Sequence, residues 1–246
     1  MTVAPTNRPL NIGMLIYPGM TALDMVAPQL VFASLPNARV HLLWKNLDPV
    51  ESDSGLAIVP TTTLADCPQR LDVLFVGGSK AATWPLLGDA EVIAFLADRG
   101  AQAAWVTSVC TGALLLAAAG LLHGYRATSH WAVRPLLLEL GAIPVDQRVV
   151  ADRNRLTGGG VTAGMDFALT LAGQLCGEQF GKALQLLVEY DPQPPYRSGH
   201  PDRADSATLA LATGLYANEV EQANLAVRAL AQRQAVPRIA APVACA

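Results

Sequence analysis

Three short segments carry residues whose types and positions can do chemistry. The first is Trp105-Val-Thr-Ser-Val109, followed at once by Cys110-Thr111-Gly112. A cysteine between a buried strand and a helix N-terminus sits in a sharp turn with its sulfur exposed. Backbone N–H groups and the positive end of the helix dipole lie beside it, and both favour thiolate over thiol. The geometry parallels the hydrolase nucleophile elbow, although no G-x-S-x-G occurs. The competing reading is a structural thiol, because free cysteine is among the most buried residue types. The second segment is Gly77-Gly78 after LDVLFV. It reads either as a tight turn needing positive φ or as an oxyanion-type pocket of backbone N–H groups. The third is Asp24, an isolated acid in the apolar stretch Pro18-Gly-Met-Thr-Ala-Leu-Asp24-Met-Val-Ala-Pro28. An acid in the first turn of a helix is the simpler reading. An acid within reach of a sulfur, however, holds or delivers a proton, and burial raises its pKa.

Other polar residues are less pointed. His130 lies in Ala127-Thr-Ser-His-Trp131 and is placed either to assist Cys110 or to serve as a structural hydrogen-bonder. His41, His123 and His200 are scattered, and no His/Cys set has metal spacing. Gly158-Gly-Gly160-Val-Thr-Ala163 matches a relaxed dinucleotide pattern but falls late in the chain, with no ribose-binding acid after it, and reads as a strand-to-helix turn. Cys67, Cys110, Cys176 and Cys245 share no short spacing and are expected to be free thiols.

The elements that must position these residues alternate between short apolar runs and helix-length amphipathic segments. Strands are expected over 10–17, 40–44, 71–76 and 105–109, then near 148–150 and 155–157, with a hairpin over 48–60. Helices are expected over 21–35, broken early by Pro28, and over 85–99 with Pro85 in the first turn. Further helices are expected over 111–122, 130–140, 163–176 and 177–190. This alternation predicts an α/β fold with a mostly parallel sheet and helices on both faces. In such sheets ligands bind beyond the carboxyl ends of the strands, where all three segments fall. Residues 1–9 are expected to be a flexible N-terminus and 10–203 one domain. Residues 191–203, with four prolines, read as a linker. Residues 204–246 form a C-terminal helical extension, frayed beyond 235 and available to a partner subunit.

Taken together, these segments resemble the DJ-1/PfpI superfamily and, within it, its isonitrile hydratase branch. The resemblance rests on Leu23-Asp24, Val76-Gly77-Gly78, Val106-Thr-Ser-Val-Cys110-Thr-Gly-Ala and Arg126-Ala-Thr-Ser-His-Trp131. It continues through Leu156-Thr-Gly-Gly-Gly-Val-Thr-Ala-Gly-Met-Asp-Phe167 and Val188-Glu-Tyr-Asp-Pro-Gln-Pro-Pro195. It implies a flavodoxin-like sandwich and a cofactor-independent, cysteine-dependent lyase that converts isonitriles to N-substituted formamides through a thioimidate. Cys110 matches the nucleophile, Asp24 the acid beside it, and Thr111 the neighbouring threonine that shapes the site. Gly78 matches the glycine that supplies a backbone N–H, with Ser79 beside it as a substrate- or oxyanion-binding residue. His130 matches the superfamily histidine in an accessory role. A homodimer is also implied. The chain departs from the family after the double glycine, where Ser79-Lys80-Ala-Ala-Thr-Trp84 makes a bulkier wall with a cation. A glyoxalase-like enzyme on the same nucleophile, or a thiol-based redox or ligand sensor, are the alternatives.

Composition excludes other classes. The chain has 246 residues, 52% of them hydrophobic, and a formal net charge of -3. This is neither the low-hydrophobicity signature of disorder nor a basic nucleic-acid binder. Mean hydropathy is high, at +0.31. Yet the longest apolar stretch, from Gly112 to Leu122, is about half the roughly 20 residues that a membrane span needs. The N-terminal MTVAPTNRPLN has no apolar region typical of a signal peptide. A cytoplasmic protein acting on a small molecule, with no nucleic acid and no membrane, is expected.

Overall fold

The computed structural model describes residues 8–235. In chain order the elements begin β1 (Leu10–Leu15), α1 (Ala22–Ala33), β2 (Ala38–Trp44), β3 (Val50–Glu51), β4 (Ala57–Ile58), β5 (Thr62–Thr63) and β6 (Val73–Val76). Then come α2 (Thr83–Leu86), α3 (Ala90–Gln102), β7 (Trp105–Val109), α4 (Gly112–Ala118), β8 (Arg126–Ala127), β9 (Ile143–Pro144), β10 (Val149–Asp152) and β11 (Arg155–Gly158). The chain closes with α5 (Ala163–Cys176), α6 (Glu178–Leu187) and α7 (Ser206–Ala235).

Seven strands form one sheet in the order β10-β11-β7-β6-β1-β2-β5, and β3 and β4 form the expected hairpin. All pairs in the large sheet are parallel except β10 with β11. The chain moves from β1 toward β2 in one direction and from β6 to β7 and β11 in the other. The switch point therefore lies at the carboxyl ends of β1 and β6, where a crevice opens in folds of this kind. In register, Val76 faces Ser108 and Val109 faces Gly158, which brings the turns after β6, β7 and β11 side by side.

Central strands buried on both sides carry continuous apolar runs, as in Val73–Val76, whereas Trp105–Val109 also buries the hydroxyl residues Thr107 and Ser108. Helix α1 packs on α5 and α5 on α6, while α2, α3 and α4 pack together. Phe32 of α1, Phe75 of β6 and Phe167 of α5 cluster with ring centroids 5.7 to 6.1 Å apart, locking the first helix layer onto the sheet.

Several elements differ from expectation for identifiable reasons. Pro28 does not break α1. The amide hydrogen it lacks would have bonded to Asp24 O, in the first turn. Its ring is accommodated by Gly164 of α5, where an added Cβ would lie only 3.2 Å from Pro28 Cδ. The helix expected over 85–99 is two helices, because Asp89 caps α3 by accepting from Val92 N and ends the preceding short turn. The segment expected as a helix over 130–140 is instead a 3-10 helix, Arg134–Leu140, opening on Pro135. The first residues of the expected flexible N-terminus lie outside the described residues, whereas Arg8 is tied by two hydrogen bonds to Asp72, at 2.6 and 3.0 Å. Cys245 and the expected frayed end also lie outside them. Helix α7 packs on its own chain. Ala223 and Val227 are fully buried, and the stripe Tyr216, Val220, Ala223, Val227, Leu230 faces the body of the protein.

Candidate active site

The turn after β7 places Cys110 in left-handed backbone, with φ of +58°. That conformation is costly for any residue with a Cβ, and three contacts hold it. Cys110 N–H donates to Gly159 O at 2.7 Å and Gly158 O at 3.2 Å, and Ser129 Oγ donates to Cys110 O at 2.9 Å. Gly112 lets the start of α4 press against the end of β6, since an added Cβ there would lie 2.2 Å from Val76 O. The strand, Cys and helix order of the sequence located this turn, but the residue expected to expose its sulfur there is buried, because the turns after β6 and β11 close over it.

Asp24, in the first turn of α1, is fully buried. Its Oδ2 accepts from Gly78 N at 2.7 Å, whereas Oδ1 has no hydrogen-bond partner. Burial pushes the carboxyl up to about 7, against the Gly78 N–H and the Cys110 thiol, which favour its charged form. Cys110 goes the other way from the sequence expectation. Burial first, and the Asp24 charge second, push its thiol well above the ordinary range. The backbone N–H and hydroxyl of Thr111 pull it back only in part. The Thr111 backbone N–H, at the start of α4, favours the thiolate as expected but loses to desolvation. The pair thus rests as a neutral thiol beside a carboxyl that titrates near neutrality.

Thr111 anchors a hydroxyl network. Its Oγ1 accepts from Ser79 N at 2.9 Å and donates to Ser79 O at 3.0 Å, with Thr83 Oγ1 2.7 Å away. Ser79 Oγ accepts from Thr83 N at 2.7 Å. Gly78 is required where it stands, because an added Cβ would lie 2.4 Å from both Thr111 N and Thr111 Oγ1. The amides of Gly78 and Ser79, expected to face a developing oxyanion, here hold Asp24 and Thr111 in place instead. His130 is buried, and burial pushes its pKa down to about 4, so it is neutral at pH 7.

Thr21, Ser79, Lys80, Trp84, Cys110, Thr111 and His130 line one cavity of about 20 Å³, closed over by Tyr216 and Glu219 of α7. That is room for about one water. Tyr216 stacks on His130 with ring centroids 5.1 Å apart, and Lys80 Nζ pairs with Glu219 at 3.3 Å. Sequence reading missed Tyr216 and Glu219. The stripe on α7 signals a packed face, but nothing local tells what it covers. Among the described residues, Asp146, His200 and Asp202 are the group whose ligand atoms converge within 4.8 Å. Asp146 and Asp202 are exposed and His200 is half-buried, and Asp146 already pairs with Arg134 and His200.

Residues 11–174 match the model of the DJ-1/PfpI family. The chain belongs to the DJ-1/PfpI family. It is 54% identical over 200 residues to the isonitrile hydratase of Pseudomonas putida, covering 81% of this chain and 87% of that one. It is 30% identical over 201 residues to the HTH-type transcriptional regulator GbdR of Pseudomonas aeruginosa, covering 77% of this chain and 53% of the regulator. A crystal structure of a ThiJ/PfpI family protein from Pseudomonas syringae superposes with a TM-score of 0.87 at 48% identity, covering 89% of this chain and 90% of that one. Among the described residues, no helix is long and apolar enough to cross a membrane.

Proposed function

We propose that this DJ-1/PfpI protein hydrates isonitriles to N-substituted formamides, with Cys110 as the nucleophile. The observation that carries the reading is the buried Asp24 carboxyl, titrating at about 7 beside the Cys110 thiol in its left-handed elbow. Likeness to an isonitrile hydratase over most of both chains supports the substrate class.

The arrangement suits a reaction in which one proton moves between sulfur, carboxyl and carbon. Asp24, as carboxylate, takes the thiol proton as Cys110 Sγ attacks the terminal carbon of R–N≡C. It then gives that proton to the same carbon, forming the thioimidate R–N=CH–S. Water adds next. Its hydroxyl joins the carbon and its proton reaches the nitrogen. Collapse of the adduct breaks the C–S bond, releases R–NH–CHO, and returns the hydroxyl proton to sulfur by way of Asp24. Splitting the addition of water into two covalent steps is the advantage of such a nucleophile. A carboxyl near neutrality serves as base and acid in turn. Thr111 keeps the turn after β6 in register with the elbow, and Gly78 N–H aims the carboxyl. His130, neutral and stacked on Tyr216, is a poor fit to glyoxalase-like chemistry that leans on it.

The reading places the enzyme in the cytosol as a homodimer. Leu23, Val26 and Leu30, each nearly half exposed, form an apolar stripe along α1. The stripe borders an apolar cavity of about 750 Å³ lined by Leu23, Ala27, Met165 and Pro194, a surface suited to a second copy.

The test is formamide production from an alkyl isonitrile, comparing wild type with Cys110→Ala. Wild-type turnover is expected, with a loss of about a thousandfold or more in the variant and an unchanged melting curve. A folded Cys110→Ala protein that still turns over, or an inert wild type, overturns the reading.

A further inference from the structure

The cavity beside Cys110, at about 20 Å³, is too small for any isonitrile larger than its functional group. What fills the missing space comes from α7. The Tyr216 ring stacks on His130, and Lys80 Nζ stands over the same ring, 5.5 Å from its centroid. Lys80 in turn pairs with Glu219, whose side chain is 16% exposed. We propose that Tyr216, latched by the Lys80–Glu219 pair, is the specificity-determining gate of the Cys110 cavity, admitting slender, unbranched substrates and excluding those branched next to the reacting group. For isonitriles the inference rests on the function proposed above.

Three features make this a gate rather than a fixed wall. A partly exposed ion pair and a cation–π contact are both weak, so the latch opens at little cost. The rest of α7 is anchored further along by the fully buried Ala223 and Val227, so the ring can turn out while the helix stays docked. Gly214 lies inside α7 two residues before Tyr216, with open space where a Cβ would stand. Packing does not require glycine there, and its effect is to loosen the turn that carries the ring.

The experiment reads the sulfur directly and then the substrate. Wild type, Tyr216→Ala, Tyr216→Phe and Glu219→Gln are treated with iodoacetamide or the bulkier N-phenylmaleimide. Modification of Cys110 and Cys67 is followed by peptide mass spectrometry. Taking the ratio of the two reagents cancels any change in thiolate fraction. Tyr216→Ala is expected to raise the bulky-to-slender ratio at Cys110 by about tenfold or more, the discrimination that a modest change in pocket size gives. Glu219→Gln is expected to raise it less, Tyr216→Phe not at all, and Cys67 is expected to stay constant throughout. The same order is expected for kcat/KM on tert-butyl against n-butyl isonitrile. An unchanged ratio at Cys110 in Tyr216→Ala overturns the gate, as does a parallel rise at Cys67, which would mean general loosening. Absence of formamide from every protein would refute the hydratase reading, while the alkylation ratio would still decide the gate.

Discussion

Replacing Asp24 by Asn tests the electrostatics of the site through stability, independently of any substrate. Asparagine keeps the shape and the acceptor for Gly78 N–H but carries no charge. In the unfolded chain Asp24 ionises at its ordinary 3.8, and in the folded protein at about 7. Between those values the folded state holds one more proton, so raising the pH weakens it. The stabilisation is complete below 3.8, is lost progressively up to about 7, and changes no further above that. At 1.36 kcal/mol for each tenfold in proton affinity, the whole span is worth about 4 kcal/mol, and relaxation around the charge brings it nearer 2. The Asn variant escapes this loss. Its stability relative to wild type should therefore climb by about 2 to 4 kcal/mol between pH 4 and pH 8. Urea denaturation of both proteins across that range reads the difference as a widening gap in midpoint at constant slope. Every other titrating group is common to the two chains, and the Cys110 thiol stays protonated throughout. A gap that is the same at pH 4.5 and pH 8 would refute the raised carboxyl, and with it the proton relay proposed for the reaction.

Two further outcomes follow from the same geometry. Thr111→Val removes the acceptor of Ser79 N–H and leaves a buried donor unpaired, which should cost about 1 to 3 kcal/mol in a thermal melt and slow turnover together. Val26→Glu puts a charge in the middle of the α1 stripe and should break the proposed dimer, so that light scattering gives a dimer mass for wild type and a monomer mass for the variant, with unchanged circular dichroism.

The turn that carries Cys110 and the first-turn place of Asp24 were legible in the sequence because their signals are local. A cysteine between an apolar strand and a helix, and an acid in the first turn after β1, are placed by the βα alternation and brought together by the parallel sheet. The parts that escaped depend on distant contacts. Nothing near Pro28 reveals that Gly164 makes room for it, and nothing near Tyr216 reveals that His130 and Lys80 await its ring. The Gly78 and Ser79 amides read as free donors because their partners, Asp24 and Thr111, stand 54 and 32 residues away. The direction of the thiol pKa was misread for a similar reason. The dipole of α4 is visible in the sequence, whereas burial of the sulfur against a carboxylate is a property of the assembled fold.

The left-handed backbone at Cys110 also has a consequence for protein engineering. A residue with a Cβ gives up about 1 to 2 kcal/mol in that conformation, and glycine gives up almost none. At φ of +58° the sulfur is therefore kept against the backbone's own preference. A library ranked only on melting temperature would drift toward glycine or asparagine at position 110, and its best-scoring members would lack the sulfur on which the proposed reaction depends. Any search for a hardier version of this protein has to screen for turnover from the first round, because at this position heat resistance and the proposed chemistry pull in opposite directions.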